Sequence, residues 1–469
     1  MKLKIWMVLM LMVLFFACQE QNKISTTVTQ IEVSPSSVSV QIDASQVFGA
    51  VAKNASGQVI SDTSFTWNSS DSTKANLVSS GTFKGLLEGS TDITASASGV
   101  TSNKAALRVV AKEVTSFAPN PKLQAIPANT ALDLGVYTCN QPLDLPYYCE
   151  AITDYSGMAY DSSRHHVLMF GGGHASTFRD DVDVFDFQTL TWKSAYPSTP
   201  CSDLNYGNLD DVKGRWKSTN HPFSRHTYDM LVFSENTKEL LLLSPDIGAG
   251  QCTPANDPFY KGSTITAYDP SQKAWNFTDI HADWGLAGAE YDPVIGLAVM
   301  VNQYGLWTYD PINHKAIKQL TQEQVPSSRM GYGNNLVYYP PNQKMYYIAR
   351  ESPTRVFEVN LDRTDFTKSS ITELTNMTGD IPNSEESGWV YDASHQRIGG
   401  GINDGAFYAF DPINKSWTKR IMTAQSSSST SVGTLAFHAL AYDPVDQVFL
   451  FITDYASGRH VWAYRYDGN

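Results

Sequence analysis

Two histidines stand where their neighbours could support chemistry. His174 directly follows Gly171-Gly172-Gly173, and His226 lies in the run Ser224-Arg225-His226-Thr227-Tyr228. An imidazole titrates near neutrality and can take a proton. A tyrosine hydroxyl can deliver one, and an arginine pairs bidentately with a carboxylate or sulfate. Together these groups suit β-elimination on a uronic acid: arginine neutralises the carboxylate, a base removes the C5 proton, and an acid serves the leaving oxygen. On this reading His174 or His226 is the base, Tyr228 the acid, and Arg225 or a neighbouring arginine the neutraliser. Strand alternation puts Arg225 and Thr227 on one side, His226 and Tyr228 on the other. The same residues also have structural readings. The glycines end a strand, His174 is a hydrogen-bonded structural histidine, and His226 and Tyr228 pack between sheets.

The elements that must position these groups repeat. From about residue 117 to 469, one unit recurs: an apolar strand, an aromatic-Asp turn, a second strand, a loop, then aromatic-Asp and a terminal Trp. The first copy reads Met158-Ala159-Tyr160-Asp161, Val167–Phe170, Val184-Phe185-Asp186 and Trp192. Trp192, Trp275 and Trp417 each follow their Asp by six residues; Phe366 fills that place in the fourth copy and Ala316 in the third. Copies recur roughly every 50 residues, the pitch of a propeller blade. No copy can bury both faces alone, so the copies must stack radially. Six blades are counted, or seven if a divergent one hides in 117–155 or 195–224. The last copy lacks a fourth strand, which Leu132–Tyr137 is expected to supply. Through Phe170–Gly173 and Gly399–Gly401 the unit resembles kelch repeats and the galactose oxidase-type propeller.

Loops after second strands and entries to first strands share one face of such a fold. The loops bring His174 and Arg179, Arg350 and Arg355, and Arg459 and His460. The entries bring Arg225, His226 and Tyr228, then Arg329 and Tyr332, then His438. Six of the twelve arginines after residue 111 fall on this face. A basic funnel on a chain of net charge −13 implies an anionic ligand. We therefore expect Arg179, Arg329, Tyr332, Arg350, Arg355, His438, Arg459 and His460 to bind substrate, unless the arginines merely pair with acids around the rim. In expected fold, export and site chemistry the chain resembles propeller-type ulvan lyases, which use a His/Tyr/Arg set on seven blades; no motif aligns residue by residue. The resemblance implies a polysaccharide lyase acting on an acidic glycan. The alternative is a non-catalytic glycan-binding or adhesion protein. A copper-radical oxidase would need a ligand set that is not recognisable, and a sialidase would need Asp-box repeats, which are absent.

The rest of the chain sets the compartment. Lys2 and Lys4 precede an apolar run, Ile5–Phe16, then Ala17-Cys18. That is a secretory signal too short to span a membrane, and its Cys resembles the lipobox of bacterial lipoproteins. The resemblance implies cleavage after residue 17, lipidation of Cys18 and anchoring to the bacterial outer membrane. Residues 19–27 read as a tether. Residues 28–111 alternate like short strands of a β-sandwich. Through Ile31–Pro35, Thr66–Asp71, Gly81, Lys84–Leu86, Gly89 and Ile93–Ala95 they resemble the bacterial Ig-like domain of group 2, which makes Trp67 a core residue. Cys139, Cys149, Cys201 and Cys252 suit two disulfides in an oxidising compartment; proximity favours 139–149 and 201–252. The expected fold is thus all-β, a sandwich followed by a propeller over 117–469. The acidic charge argues against nucleic acid as a partner. A monomer is expected, without a cofactor. No CxxC argues for zinc, and a structural calcium is left open.

Overall fold

The computed structural model describes residues 26–42, 44–110, 117–137, 155–171, 179–245, 264–326, 330, 333–383, 388–427, 431–454 and 459–468. The chain forms two compact units, Met1–Glu113 and Val114–Asn469. Cys18, Cys139, Cys149, Cys252, His174, Arg329 and Tyr332 lie outside the described residues. Cys201 begins a short 3-10 turn, Cys201–Asp203. Among the described residues no helix is long and apolar enough to cross a membrane.

The first unit is all strand. Ser37–Gln41, Ala105–Val110, Gly89–Ala97 and Thr66–Ser69 form one sheet in that order, and Ser45–Val47, Thr82–Gly85 and Ala75–Ser79 another. In Ala105–Val110, alternate residues Ala105, Leu107 and Val109 enter the core, as a strand with one wet face requires. Trp67 packs edge-on against Phe83 at 6.3 Å. Gly81 has φ +73, and a Cβ there would meet the Phe48 carbonyl at 2.4 Å. Only glycine fits that turn.

The second unit contains six sheets of the same design. Sheet I is Met158–Asp161, His166–Met169, Asp183–Asp186 and Thr191–Ser194. Sheet II is Leu231–Ser234, Glu239–Leu242, Thr264–Asp269 and Ala274–His281. Sheet III is Gly288–Asp292, Leu297–Asn302, Gly305–Asp310 and Lys315–Leu320. Sheet IV is Asn335–Tyr339, Lys344–Ala349, Arg355–Asn360 and Ser370–Glu373. Sheet V is Trp389–Asp392, Arg397–Asn403, Ala406–Asp411 and Ser416–Ile421. Sheet VI is Thr434–Asp443, Val448–Asp454, His460–Arg465 and, fourth in order, Thr130–Val136. All of these neighbours pair antiparallel. The expected closing strand is therefore present, with Ala131 opposite Tyr464 and Leu132 opposite Ala463. The first strand of each sheet touches the first strand of the next, and that of sheet VI returns to sheet I. Segment 195–224, where a seventh copy was left open, holds only three two-residue strands over a small core of Leu204, Trp216 and Phe223.

The repeat marks acquire a physical reason. The aromatic before each Asp and the Trp after it are directly opposed across two strands: Phe185 and Trp192, Tyr268 and Trp275, Phe410 and Trp417. Such a pair contributes roughly 0.2–1 kcal/mol. The Asp between them caps the turn. Asp186 Oδ1 accepts from Gln188 N at 2.8 Å, Asp269 Oδ1 from Ser271 N at 2.8 Å, and Asp411 Oδ1 from Ile413 N at 2.9 Å. The residue four after the Asp is left-handed: Leu190, Lys273 and Lys415. Phe366 does not follow the pattern. It sits in a 3-10 turn, Phe366–Lys368, while Ile371 stands opposite Val359. The longer connection in sheet IV displaces it.

Candidate functional site

The first strand of each sheet has an inner edge with no ladder partner, so its N–H groups need acceptors. Side chains at the ends where these strands begin supply several. Asp229 accepts from Ala289 N at 3.1 Å and Leu336 N at 2.7 Å, and from the Asn335 side chain. Asn335 Oδ1 in turn accepts from Gly388 N at 2.9 Å. Thr227 Oγ1 donates to the Phe170 carbonyl at 3.1 Å and accepts from Gly157 N at 2.9 Å. These bonds stitch adjacent sheets together and leave a narrow cavity lined by Gly157, Tyr228, Asp229, Asn335, Trp389 and His438, among others.

Sheets VI, I and II meet beside that cavity in an aromatic cluster. The Tyr155 ring lies 4.3 Å from Phe437, 4.8 Å from His226 and 5.4 Å from Tyr228. Tyr228 meets His438 edge-on at 5.9 Å. Tyr155, Tyr228 and Phe437 have φ of 59, 44 and 48. Left-handed backbone is uncommon for bulky residues, and residues so held concentrate at functional sites. A bulge between Leu435 and Leu440 carries Phe437 and His438.

Electrostatics single out His438. It is 3% exposed, and neither ring nitrogen has a hydrogen-bond partner. Burial, then the nearby positive charge of Arg350, lowers its pKa to about 3. The imidazole is therefore neutral at pH 7. Burial raises the Asp229 carboxyl well above its usual range and brings Glu290, on the first strand of sheet III, to about 7.

Of the expected site residues, Tyr228 and His438 line the cavity. His226, Tyr228 and His438 come together, with Arg350 beside them. Arg225 does not join them. It is fully buried, and its guanidinium donates to the carbonyls of Phe223 at 3.2 Å and Ser244 at 3.1 Å. Arg179 is also fully buried. It donates to Asp181 at 2.9 and 2.6 Å and to Asp183 at 2.6 Å. Arg355 pairs with Glu373, its Nε 2.6 Å from Oε1, and lies 3.6 Å from Glu351. His460 Nδ1 lies 3.0 Å from both Asp133 oxygens. Arg459 is half-buried, and its carbonyl accepts from Tyr137 N at 2.6 Å. The rim pairing weighed as the alternative therefore describes Arg179 and Arg355. Tyr155, Asp229 and Asn335 escaped the sequence reading. Asp229 directly follows Tyr228, which was the one available signal.

Residues 27–109 match the bacterial Ig-like domain family (group 2). No curated protein matches the chain. Among solved structures, it is similar to a protein of unknown function from Bacteroides thetaiotaomicron, with 11% identity over 93% of this chain and 97% of that one, TM-score 0.41. It is also similar to an oligogalacturonate lyase in complex with manganese, with 13% identity over 67% and 96%, TM-score 0.34. YjhT shares 13% identity over 68% and 95%, TM-score 0.39. At such TM-scores none of these likenesses says what this chain does.

Proposed function

We propose that this is an extracytoplasmic protein whose six sheets form a closed kelch-like β-propeller, and that the cavity end of the propeller cleaves an acidic polysaccharide by β-elimination. The observation that carries this reading is His438: a buried, neutral imidazole without a partner, open to a cavity, between a tyrosine and an arginine. In this scheme His438 takes the C5 proton, Tyr228 serves the leaving oxygen and Arg350 meets the substrate carboxylate. His438 is a weak base while buried beside the positive charge of Arg350. An anion on Arg350 cancels the second cause of its low pKa and so strengthens the base when substrate is present.

The narrowness of the cavity favours a second reading. It admits a substituent rather than a sugar ring, as an adhesion or glycan-binding protein would need. Incubating the purified chain with uronic-acid polysaccharides, and following the absorbance of unsaturated uronate, separates the two. We expect product from the wild type and none from His438→Ala or Tyr228→Phe. Wild-type rates in both variants overturn the assignment, and binding without product favours adhesion.

Export fits this proposal: Cys18 carries the lipid anchor to the outer membrane, the Ig-like domain is the spacer, and disulfides join Cys139 to Cys149 and Cys201 to Cys252. The Ig-like match at residues 27–109 supports an extracytoplasmic setting.

A further inference from the structure

A second cluster lies away from the cavity, at the turn ends of sheets I and VI where the ring closes. His165, Asp443 and Asp446 are each at most 1% exposed. His165 Nε2 lies 2.9 Å from Asp443 Oδ2 and 3.6 Å from Asp446 Oδ2. The other oxygens are engaged. Asp443 Oδ1 accepts from Val445 N at 2.9 Å and from the Tyr160 hydroxyl at 3.2 Å. Asp446 Oδ1 accepts from Asn120 N at 2.7 Å and Gln124 Nε2 at 3.1 Å. Asp446 Oδ2 has no donor at all, although it is buried and points at the imidazole. The ring of His165 is held in place, stacked on Phe187 at 4.9 Å with Phe117 at 5.1 Å.

The charge balance is unusual. Among the described residues, the only ion-pair partner of either carboxylate is His165. Arg465 is close, but its Nη2 donates to the carbonyls of Leu123 and Asp446 rather than to a carboxylate. Two buried carboxylates with one imidazole between them need further positive charge. A proton shared by the two acids would supply it, and so would a cation. The spacing suits a cation. Ligand atoms on a tetrahedral zinc stand about 3.3 Å apart at ordinary bond lengths, between the 2.9 and 3.6 Å found here.

We infer that His165 Nε2, Asp443 Oδ2 and Asp446 Oδ2 form a binding site for a divalent cation of the zinc or manganese kind. One nitrogen and two oxygens suit these ions better than calcium, which prefers about six to eight oxygens. Gln188, whose Nε2 lies 3.4 Å from His165 Nδ1, is the outer partner, and its amide must turn to accept from a metal-bound imidazole. The ion would tie sheet I, sheet VI and the segment at Asn120–Gln124 together at the ring seam. This site is independent of the glycan reading. It also differs from the sequence expectation against zinc, which rested on the absence of CxxC. No sequence motif reveals it, because His165 and Asp443 are 278 positions apart.

The test uses the full chain, stripped with a chelator and then supplied separately with Zn2+, Mn2+ or Ca2+. We expect one equivalent of Zn2+ or Mn2+ retained after gel filtration and a higher Tm. X-ray absorption of the zinc form should show one imidazole and oxygen ligands. Asp446→Asn and His165→Asn should each weaken binding at least tenfold. Asparagine tolerates the left-handed backbone of His165, at φ 58, so the turn survives. No retained ion, thiolate ligation, or wild-type affinity in both variants overturns the site. Should Asp446→Asn fail to fold, His165→Asn and the absorption spectrum decide.

Discussion

The two ends of the six sheets use left-handed backbone differently. At the turn end, it recurs four residues after a capping Asp, as at Leu190, Lys273, His314 and Lys415. Each such residue closes a tight hairpin, and the ladders on either side hold it. At the cavity end, Tyr155, Tyr228 and Phe437 are left-handed outside any such hairpin. They are large aromatics packed on one another and on His226 and His438. The polar groups differ in the same way. The capping aspartates Asp186, Asp269 and Asp411 accept bonds from their own turns, whereas Asp229 bonds across to sheets III and IV. These capped turns are a repeated local solution. The cavity end exists only because different sheets converge there, and backbone strain without a local reason is where function is expected.

The sharpest way to break this contrast is at His438 and Tyr228. If the cavity end is catalytic, His438→Ala and Tyr228→Phe should lower kcat/KM by about 10²–10⁴-fold while leaving Tm nearly unchanged. Arg179 tests the opposite claim for a residue expected to bind substrate. Arg179→Ala leaves Asp181 and Asp183 buried without their cation, at a cost of about 3–5 kcal/mol in urea unfolding. A large loss of activity with intact stability would return Arg179 to the site.

A pH series sharpens the comparison further. The folded pKa of Glu290 is raised by burial to about 7 from its ordinary 4.5. The unfolded chain therefore loses this proton first as pH rises. The stabilising contribution is complete below about 4.5 and is lost as pH climbs to about 7. Glu290→Gln should flatten the stability profile across that window, read by denaturant midpoints. Turn-end changes should be smaller and catalytically silent. Asp310 Oδ1 accepts from Ile312 N at 2.9 Å and Asn313 N at 3.0 Å; Asp310→Ala should cost about 1 kcal/mol. Lys415→Gly, which relieves a left-handed side chain, should shift stability by only a few tenths of a kcal/mol.

Legibility followed the range of the interactions. The aromatic, Asp and Trp marks could be read because a hairpin places them opposite one another within a few residues. The closing strand could be read because the last copy was short of one. Phe366 misled because six-residue spacing was carried into a longer connection. At Ser224–Tyr228, spacing alone could not say that Arg225 bonds to the carbonyls of Phe223 and Ser244 while His226 and Tyr228 join one aromatic cluster. Arg179 and Arg355 were placed on the loop face, while they are engaged by Asp181 and Asp183, a few residues on, and by Glu373 on the facing strand.

By itself, the sequence determined the β-sandwich over about residues 28–111, the six hairpin pairs that follow and the turns that end them. These depend on alternation, turn chemistry and neighbours in the chain. Only the tertiary structure decided that His438 from sheet VI meets Tyr228 at the entry to sheet II, that Asp229 binds sheets III and IV, and that His165 faces Asp443 and Asp446 at the seam. Those encounters join residues up to hundreds of positions apart. Burial then gives them their character: the same imidazole that would titrate near neutrality in an open loop is a neutral group when buried between the sheets.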